Sequence, residues 1–510
     1  MKDSNTATSS YRNIMSSTAI FGGVQIINIG INVIRGKLVS MILHTTGMGI
    51  LSVFSSAANV VQQFAQMGLN VSAVRTISQA NDATDEQAIA FTTRLVRTMI
   101  VIASVAGMVL MALMSPLFSG LSFGDLSFTP YFILLGLLVF FNIMGAGETA
   151  ILQGRRQYKQ LAFCSTVPPL AGLLISIPIY YFWRINGIVP AMICVSLIYY
   201  VALRVYSYRD RRPRSSRERL TLRRIWITGQ EMIKLGFVLT IGVLAGTITT
   251  YLVIAFISNI GVVEHVGLYQ AAHTITGQYV GLVFTAMATD YYPHLSSLAK
   301  DNTGKAFELV NQQTEIVLLI MAPIAMLMIL TAPVVVNVLL TEEFMPICLI
   351  MRFMGLACII RALSAPMDYI AYANGDRKFI LWIETLWGCA KTLVVMTLCY
   401  YFFGFIGLGY GALACAVIDL IVSIVATRWR YGFRLSGRVI QLMLPLLIIA
   451  TCCFAGSLLT ERLWRYVVMT PFAIIGCAYS LYQLNLRMDL RAQITNWRKR
   501  RSGRAAANEQ

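Results

Sequence analysis

The chain is short of charge. Of its 510 residues only 13% are Asp, Glu, Lys or Arg, whereas 57% are hydrophobic and mean hydropathy is +0.67. Soluble domains carry about 25% charged residues. Half that charge cannot cover a water-facing surface of this length, which excludes an ordinary soluble enzyme, a disordered chain and a fibrous one. Histidine is scarce as well, with four residues and no spacing suited to a metal. H-E-x-x-H, Walker A and G-x-S-x-G patterns are missing, so neither catalysis, ATP hydrolysis, a metal site nor a cofactor is expected. Gly407-Leu-Gly-Tyr-Gly follows no strand and reads as a short periplasmic turn rather than a phosphate loop. No C-x-x-C occurs among the ten cysteines, all of which fall in apolar stretches and read as small buried hydrophobes. No hydrophilic stretch is long enough for a separate domain, and the apolar run from Ile14 is too long for a cleavable signal.

What remains is a chain whose solvent is mostly lipid. A spanning helix takes about 20 apolar residues. Spans are predicted near residues 14–43, 49–74, 95–118, 129–152, 161–183, 188–207, 235–258, 267–292, 312–340, 348–373, 379–403, 408–429, 438–459 and 466–484. The net charge is +18. Lys and Arg crowd alternate connections: Arg75 to Arg97, Arg155 to Lys159, Arg209 to Arg224, Lys300 and Lys305, Arg377 and Lys378, and Arg428 to Arg438. Both tails are basic, and the opposite connections hold almost only Arg184, Arg462 and Arg465. By the positive-inside rule this predicts an even number of spans with both termini cytoplasmic. The run Arg209 to Arg224 reads as a loop beside anionic headgroups, since no nucleic-acid-binding fold accompanies it.

An internal repeat is visible. From Gly49 to Ser78 the chain aligns without gaps on Gly267 to Ser296, and Gly154-Arg-Arg matches Gly375-Asp-Arg after a later span. Two copies of six spans keep one orientation and form a parallel repeat with a shared central cavity as the natural site. The predicted organisation is an N-terminal tail (1–13), a first lobe (14–208), a basic linker (209–234), a second lobe (235–430), two further spans (431–484) and a basic tail (485–510).

Polar stripes point to that cavity. On the second span Ser52, Ser55, Ser56, Asn59, Gln62, Gln63, Gln66 and Asn70 fall within about 120°. The repeat carries Ser52, Ser55, Ser56, Asn59 and Gln63 onto Gln270, His273, Thr274, Gly277 and Gly281. On the first span Gln25, Asn28, Asn32 and Arg35 fall within about 80°. Such faces either glue helices together or line water. An unpaired Arg at mid-bilayer costs at least about 2.5–3.5 kcal/mol, so Arg35 should be paired or wet, whereas Lys37 is expected to snorkel. In the second half Arg352, Arg361 and Asp368, then Glu384 and Lys391, then Asp419 lie inside spans. Arg361 with Asp368, and Glu384 with Lys391, share helix faces. These charges are either structural pairs or a cationic wall for an anionic headgroup, with Asp290, Asp368, Glu384, Asp419 and His273 able to hold a coupling proton or cation. Glu148 and Asp290, near span ends, are expected to pair locally.

Several segments resemble one family. Glu264-His-Val-Gly-Leu-Tyr-Gln-Ala-Ala-His, running on to Tyr292-Pro-His-Leu-Ser, is similar to a motif of polysaccharide-export flippases. Leu340-Thr-Glu-Glu-Phe-Met-Pro and Ala373-Asn-Gly-Asp-Arg-Lys resemble that family's periplasmic and cytoplasmic turns, and Gly47-Met-Gly-Ile with Met67-Gly-Leu its first half. The chain thus resembles the Wzx-type O-antigen and lipid-linked oligosaccharide flippases, within the superfamily of multidrug/cation antiporters and lipid II flippases. The resemblance implies an all-α polytopic fold in a bacterial inner membrane, with about fourteen helices: two six-helix lobes in a V plus two C-terminal helices. It implies movement of an undecaprenyl-pyrophosphate-linked oligosaccharide to the periplasmic leaflet by alternating access, in a pathway with glycosyltransferases and a polysaccharide polymerase. The driving force would be a proton or sodium gradient, or the membrane potential. Cargo contacts are then expected from Asn28, Asn32, Arg35, Ser56, Asn59, Gln62, Gln63, Gln66, Gln270, His273, Arg361 and Lys391. One departure is that Thr247, Thr249, Thr250 and Tyr251 stand where many relatives carry an acid in span seven. A multidrug/cation antiporter and a lipid II flippase remain the alternative readings.

Overall fold

The computed structural model describes residues 2–82, 86–208, 222–459 and 461–488. Most of the basic linker (209–221) and of the C-terminal tail (489–510) lies outside the described residues. No strand occurs among the described residues. That is the outcome lipid demands of an open chain, because only helices satisfy every backbone donor and acceptor internally. Residues 2–13, expected as a tail, continue the first helix, Lys2–Gln66.

Ten described helices are long and apolar enough to cross a membrane. Three of these stretches, Gly23–Gln66, Tyr158–Ser207 and Arg377–Tyr431, are 44–55 residues long. Each holds a residue at positive φ: His44 (57°), Arg184 (47°) and Gly404 (59°). The helix is interrupted there, and each stretch is long enough for two crossings. The helix Val263–Asp301 is less apolar than these because it carries Gln270, His273, Thr274 and Gln278. Counting it as a crossing recovers the expectation of about fourteen.

The chain divides into two compact units, Met1–Gln270 with Asn337–Phe344, and Ala271–Val336 with Met345–Gln510. Helix Leu222–Ile260, expected to open the second lobe, packs in the first unit against Lys2–Gln66 and Glu86–Phe123. In that unit an aromatic cluster around buried Phe54 gathers Phe123, Phe128, Tyr131 and Phe132. The second unit has two apolar cores, one packing Met326 and Ile329 against Leu446 and Ala450, the other built on Met321, Met367 and Phe433. Leu113, Phe182, Phe402 and Trp429 stand exposed, as a lipid-facing surface requires.

The repeat is written into contacts. A Cβ on Gly49 would lie 2.1 Å from the Val263 carbonyl oxygen, and one on Gly267 would lie 2.2 Å from that of Thr45. Thr46 Oγ1 donates to Glu264 Oε1 at 3.0 Å, a pair 218 residues apart. Residue 45 touches 267 while 263 touches 49, and a two-fold relation produces this kind of reciprocity. The all-glycine crossing lets two backbones meet without side chains between them. A second trace is Tyr180-Tyr-Phe-Trp-Arg184 against Tyr400-Tyr-Phe-Phe-Gly404. The first Tyr of each is buried, the next three residues are exposed, and the last turns at positive φ.

Candidate functional site

The first two spans carry the polar residues of the first unit. Serine hydroxyls in a helix can return to their own backbone. Ser52, Ser55 and Ser56 do so, donating to the carbonyls of Met48, Leu51 and Ser52 at 2.7 Å. Amides cannot be satisfied that way as easily. Asn32 and Asn59 are exposed, Gln62 and Gln63 are half-buried, and none of the four side chains has a hydrogen-bond partner among the described residues. Unmet amide groups facing hydrocarbon would each cost several kcal/mol. Each of these amides must therefore meet water or another polar group. Two other members of the stripes turn inward. Asn28 is buried and donates Nδ2 to the Ser165 carbonyl at 3.3 Å, and Gln66 is buried with Nε2 lacking an acceptor. Gln270 is half-buried.

Arg35 occupies a slot on the fifth span. A Cβ on Gly172 would sit 2.6 Å from its Cζ, so any other residue there would push the guanidinium aside. Gly172–Ser176 is a π-helical turn, a common mark of functional positions. Arg35 pairs with no carboxylate among the described residues. Its Nε and the fully buried Ser176 and Tyr180 hydroxyls lie close together, and none of the three makes a hydrogen bond of normal geometry. Lys37 does not snorkel. Its Nζ donates to the Asn337 carbonyl at 2.6 Å and to that of Leu340, capping the negative end of helix Thr303–Leu339. Beside it, His44 Nδ1 meets Glu343 at 2.9 Å.

In the second unit Arg361 lies 6.0 Å over the Phe284 ring and beside His273, both on exposed surface. Of the two readings left open for these charges, pairing along a shared helix face does not occur. Arg361 and Asp368 are about 10.5 Å apart in helical rise. Asp368 instead accepts from Ser423 Oγ at 2.7 Å. Glu384 lies in a π-helical stretch, Ile380–Trp387, whose wider turn rotates it away from Lys391's face. Lys391, only 4% exposed, pairs with Asp419. Glu384 Oε1 is buried without a partner, and Tyr372 stands next to the carboxylate. Asp368, Glu384 and Asp419 interact with their neighbours on three consecutive spans. Asp290 is exposed and has no pair among the described residues.

Two charged sites are structural. Glu148, nearly fully buried, accepts from Arg97 Nε and Nη2 at 3.0 Å and also from Arg204, tying three helices of the first unit together. This is the local pairing expected of it. At the turn after Gly375, Asp376 accepts from the Phe379 N–H, Arg430 Nε (2.9 Å) and Tyr431. The Phe379 amide, then Arg430, holds its carboxyl below the ordinary carboxylate range. In span seven Tyr251 is packed and hydrogen-bonds with Ser122 at 3.0 Å, while Thr247, Thr249 and Thr250 return to their own helix. The acid-free stretch thus has Thr249 and Tyr251 buried and Thr250 exposed.

Sequence reasoning missed Ser176 and Tyr180. The recurrence of Tyr180-Tyr-Phe at Tyr400-Tyr-Phe was the signal that could have singled out Tyr180.

Comparisons agree with this architecture. The polysaccharide biosynthesis protein family matches residues 38–349. No curated protein matches the chain. Among solved structures it is similar to the lipid II flippase MurJ in an inward closed conformation, with TM-score 0.67 and 11% identity over 92% of this chain and 99% of that one. It is also similar to an inward-facing multidrug resistance MATE transporter of the MOP superfamily, with TM-score 0.64 and 14% identity over 80% and 94%. A third is a MOP superfamily transporter from Pyrococcus furiosus, with TM-score 0.51 and 14% identity over 80% and 93%. At such identities these likenesses show the fold. Together with the ten apolar helices they make this a multi-pass membrane protein, in agreement with the Wzx-type resemblance of its turns. The chain belongs to the polysaccharide biosynthesis protein family and has the MurJ- and MATE-like fold.

Proposed function

We propose that the protein is a flippase that carries an undecaprenyl-pyrophosphate-linked oligosaccharide, an O-antigen or similar repeat unit, from the cytoplasmic to the periplasmic leaflet of the inner membrane, with both termini cytoplasmic. The observation that carries this is the pairing of an amide-rich helix face with a guanidinium that has no counter-ion. Asn32, Asn59, Gln62 and Gln63 offer both donors and acceptors, which suits sugar hydroxyls. Arg35 offers bidentate donors to phosphate oxygens. Arg361, beside His273, is a further cationic candidate on the second unit, although it is not the repeat partner of Arg35. Lys391 is a weaker contributor than its sequence position suggested, because Asp419 already neutralises it.

Coupling belongs to the buried carboxylates of the second unit. Glu384 has an oxygen without a partner and Asp368 has only a neutral hydroxyl, so each can take up a proton or a cation within the span. Glycosyltransferases that build the cargo and a polymerase that consumes it are the partner activities this reading requires.

The test is Arg35→Ala and Arg361→Ala at unchanged protein level, with surface glycan display as readout. Loss of about 1.5–3 kcal/mol of charged hydrogen bonding predicts export reduced at least tenfold for Arg35→Ala. Normal display with both variants would refute the assignment. Loss of viability on depletion, rather than loss of a surface polymer, would identify the cargo as lipid II. Drug resistance on overexpression without a glycan phenotype would identify an antiporter.

A further inference from the structure

The second unit contains another arginine that the transport reading does not use. Arg352, near the start of helix Ile347–Asn374, is 5% exposed. Its Nη1 donates to the Ser457 carbonyl at 3.1 Å, at the C-terminal end of helix Gly437–Gly456. That single bond caps a helix end, and a capping role would end there. It leaves Arg352 Nε buried without an acceptor, and Ser457 Oγ, in a residue 2% exposed, is buried without a partner as well.

The surroundings make a capping role alone costly. The groups whose charge or polarity reaches Arg352 are Cys348, Arg465, Tyr466 and Cys453. Among the described residues neither Arg352 nor Arg465 pairs with a carboxylate, Glu461 included. Arg465 is folded back on the Leu459 carbonyl through Nε and Nη2 at 2.9 and 2.8 Å, which brings a second positive charge to the first. Two guanidiniums thus bond to carbonyls only two residues apart, Ser457 and Leu459, beside an orphan hydroxyl and with no carboxylate paired to either among the described residues. Buried cations are otherwise paired or hydrogen-bonded.

Depth indicates what the anion is. The cluster lies where helices end, and the adjoining segment exposes Leu458, Leu459, Leu463 and Trp464. Apolar side chains and a tryptophan beside arginines are the composition of a membrane–water boundary. Phosphate oxygens of lipid headgroups are concentrated at that depth, and Arg is the residue best shaped to grip them.

We infer that Arg352, Ser457 and Arg465 form a site for a phosphate oxygen of a membrane phospholipid headgroup, clamped between helix Ile347–Asn374 and the segment that follows helix Gly437–Gly456. The lipid supplies the acceptor that Arg352 Nε and Ser457 Oγ lack, and the exposed leucines and Trp464 receive its acyl portion.

The test uses the full-length protein, purified in detergent, with thermal unfolding followed during titration of three probes. Dihexanoyl phosphatidylglycerol is expected to raise the unfolding temperature saturably. Dihexanoylglycerol, which lacks the phosphate, is expected to leave it unchanged. Inorganic phosphate distinguishes the source: an equal rise at equal concentration would make this a free-anion site and overturn the headgroup assignment. Ser457→Ala, which keeps the carbonyl contact, is expected to weaken phosphatidylglycerol binding by about tenfold. Arg465→Gln should do the same, and both variants leave the buried Arg352 in place. No rise in the wild type, an equal rise with dihexanoylglycerol, or wild-type affinity in both Ser457→Ala and Arg465→Gln would overturn the proposal.

Discussion

Substituting alanine at the crossing of Gly49 and Gly267 tests the two-fold reading of the fold most directly. In Gly49→Ala the new methyl falls 2.1 Å from the Val263 oxygen and 2.8 Å from its Cγ1, whereas ordinary contact begins near 3.4 Å. The obstacle is backbone, so no side chain can swing aside and one helix must retreat by roughly 1.3 Å. Overpacking of this kind costs about 1–3 kcal/mol. The retreat also stretches the Thr46–Glu264 hydrogen bond, whose loss adds about 1 kcal/mol. The total expected is about 2–4 kcal/mol. Gly267→Ala strikes the Thr45 oxygen at 2.2 Å and should cost the same. The double variant should cost well below the sum, because one displacement relieves both clashes and residues in contact couple by about 0.5–3 kcal/mol. Gly277→Ala, whose Cβ meets open space, is the control and should be neutral or slightly stabilising. Unfolding of the purified protein in a graded denaturing-detergent series reads all four. Gly49→Ala as stable as Gly277→Ala, or strict additivity in the double variant, would refute the reciprocal contact.

Other predictions concern charge. Lys391→Met leaves Asp419 unpaired and should destabilise by the lower part of about 3–5 kcal/mol, since Asp419 is 39% exposed; adding Asp419→Leu should recover most of the loss in the same unfolding assay. Asp376→Ala removes the acceptor for the Phe379 N–H and should cost about 1 kcal/mol at neutral pH. The Asp376 carboxyl is held below its ordinary value, so its charge stabilises the fold fully above the unfolded-state value and ceases to do so as pH falls through the folded-state one. The stability gap between wild type and Asp376→Asn should therefore be constant from pH 5 to 8 and close only in stronger acid. Gly172→Val should evict Arg35 from its slot without changing its charge. If the slot positions Arg35 for cargo, surface glycan export falls in Gly172→Val at unchanged protein level, and unchanged export would show that the slot does not position Arg35 for cargo.

Much of this protein was decided by one-dimensional properties. Mean hydropathy and the scarcity of charge dictated helices in lipid, because no other open structure satisfies its backbone there. The repeat was legible because symmetric packing asks the same residue type twice, as at Gly49 and Gly267. The amide stripe was legible because helical period alone places Asn59, Gln62 and Gln63 on one face. Pairing was not legible. The sequence puts Glu384 and Lys391 on one face by counting seven residues, but a π-helical stretch breaks the count and Asp419 on the next span takes the lysine. Lys37 read as a snorkelling side chain because nothing in its own helix shows that the carbonyl end of another helix, 300 residues on, lies beside it. Arg352 and Arg35 looked alike as buried cations, yet one meets a helix terminus and an orphan serine and the other a glycine slot. Composition and period fix which faces a helix shows, for these depend on neighbours in sequence. Which charge meets which depends on distances across helices, and only the tertiary packing of remote segments sets those.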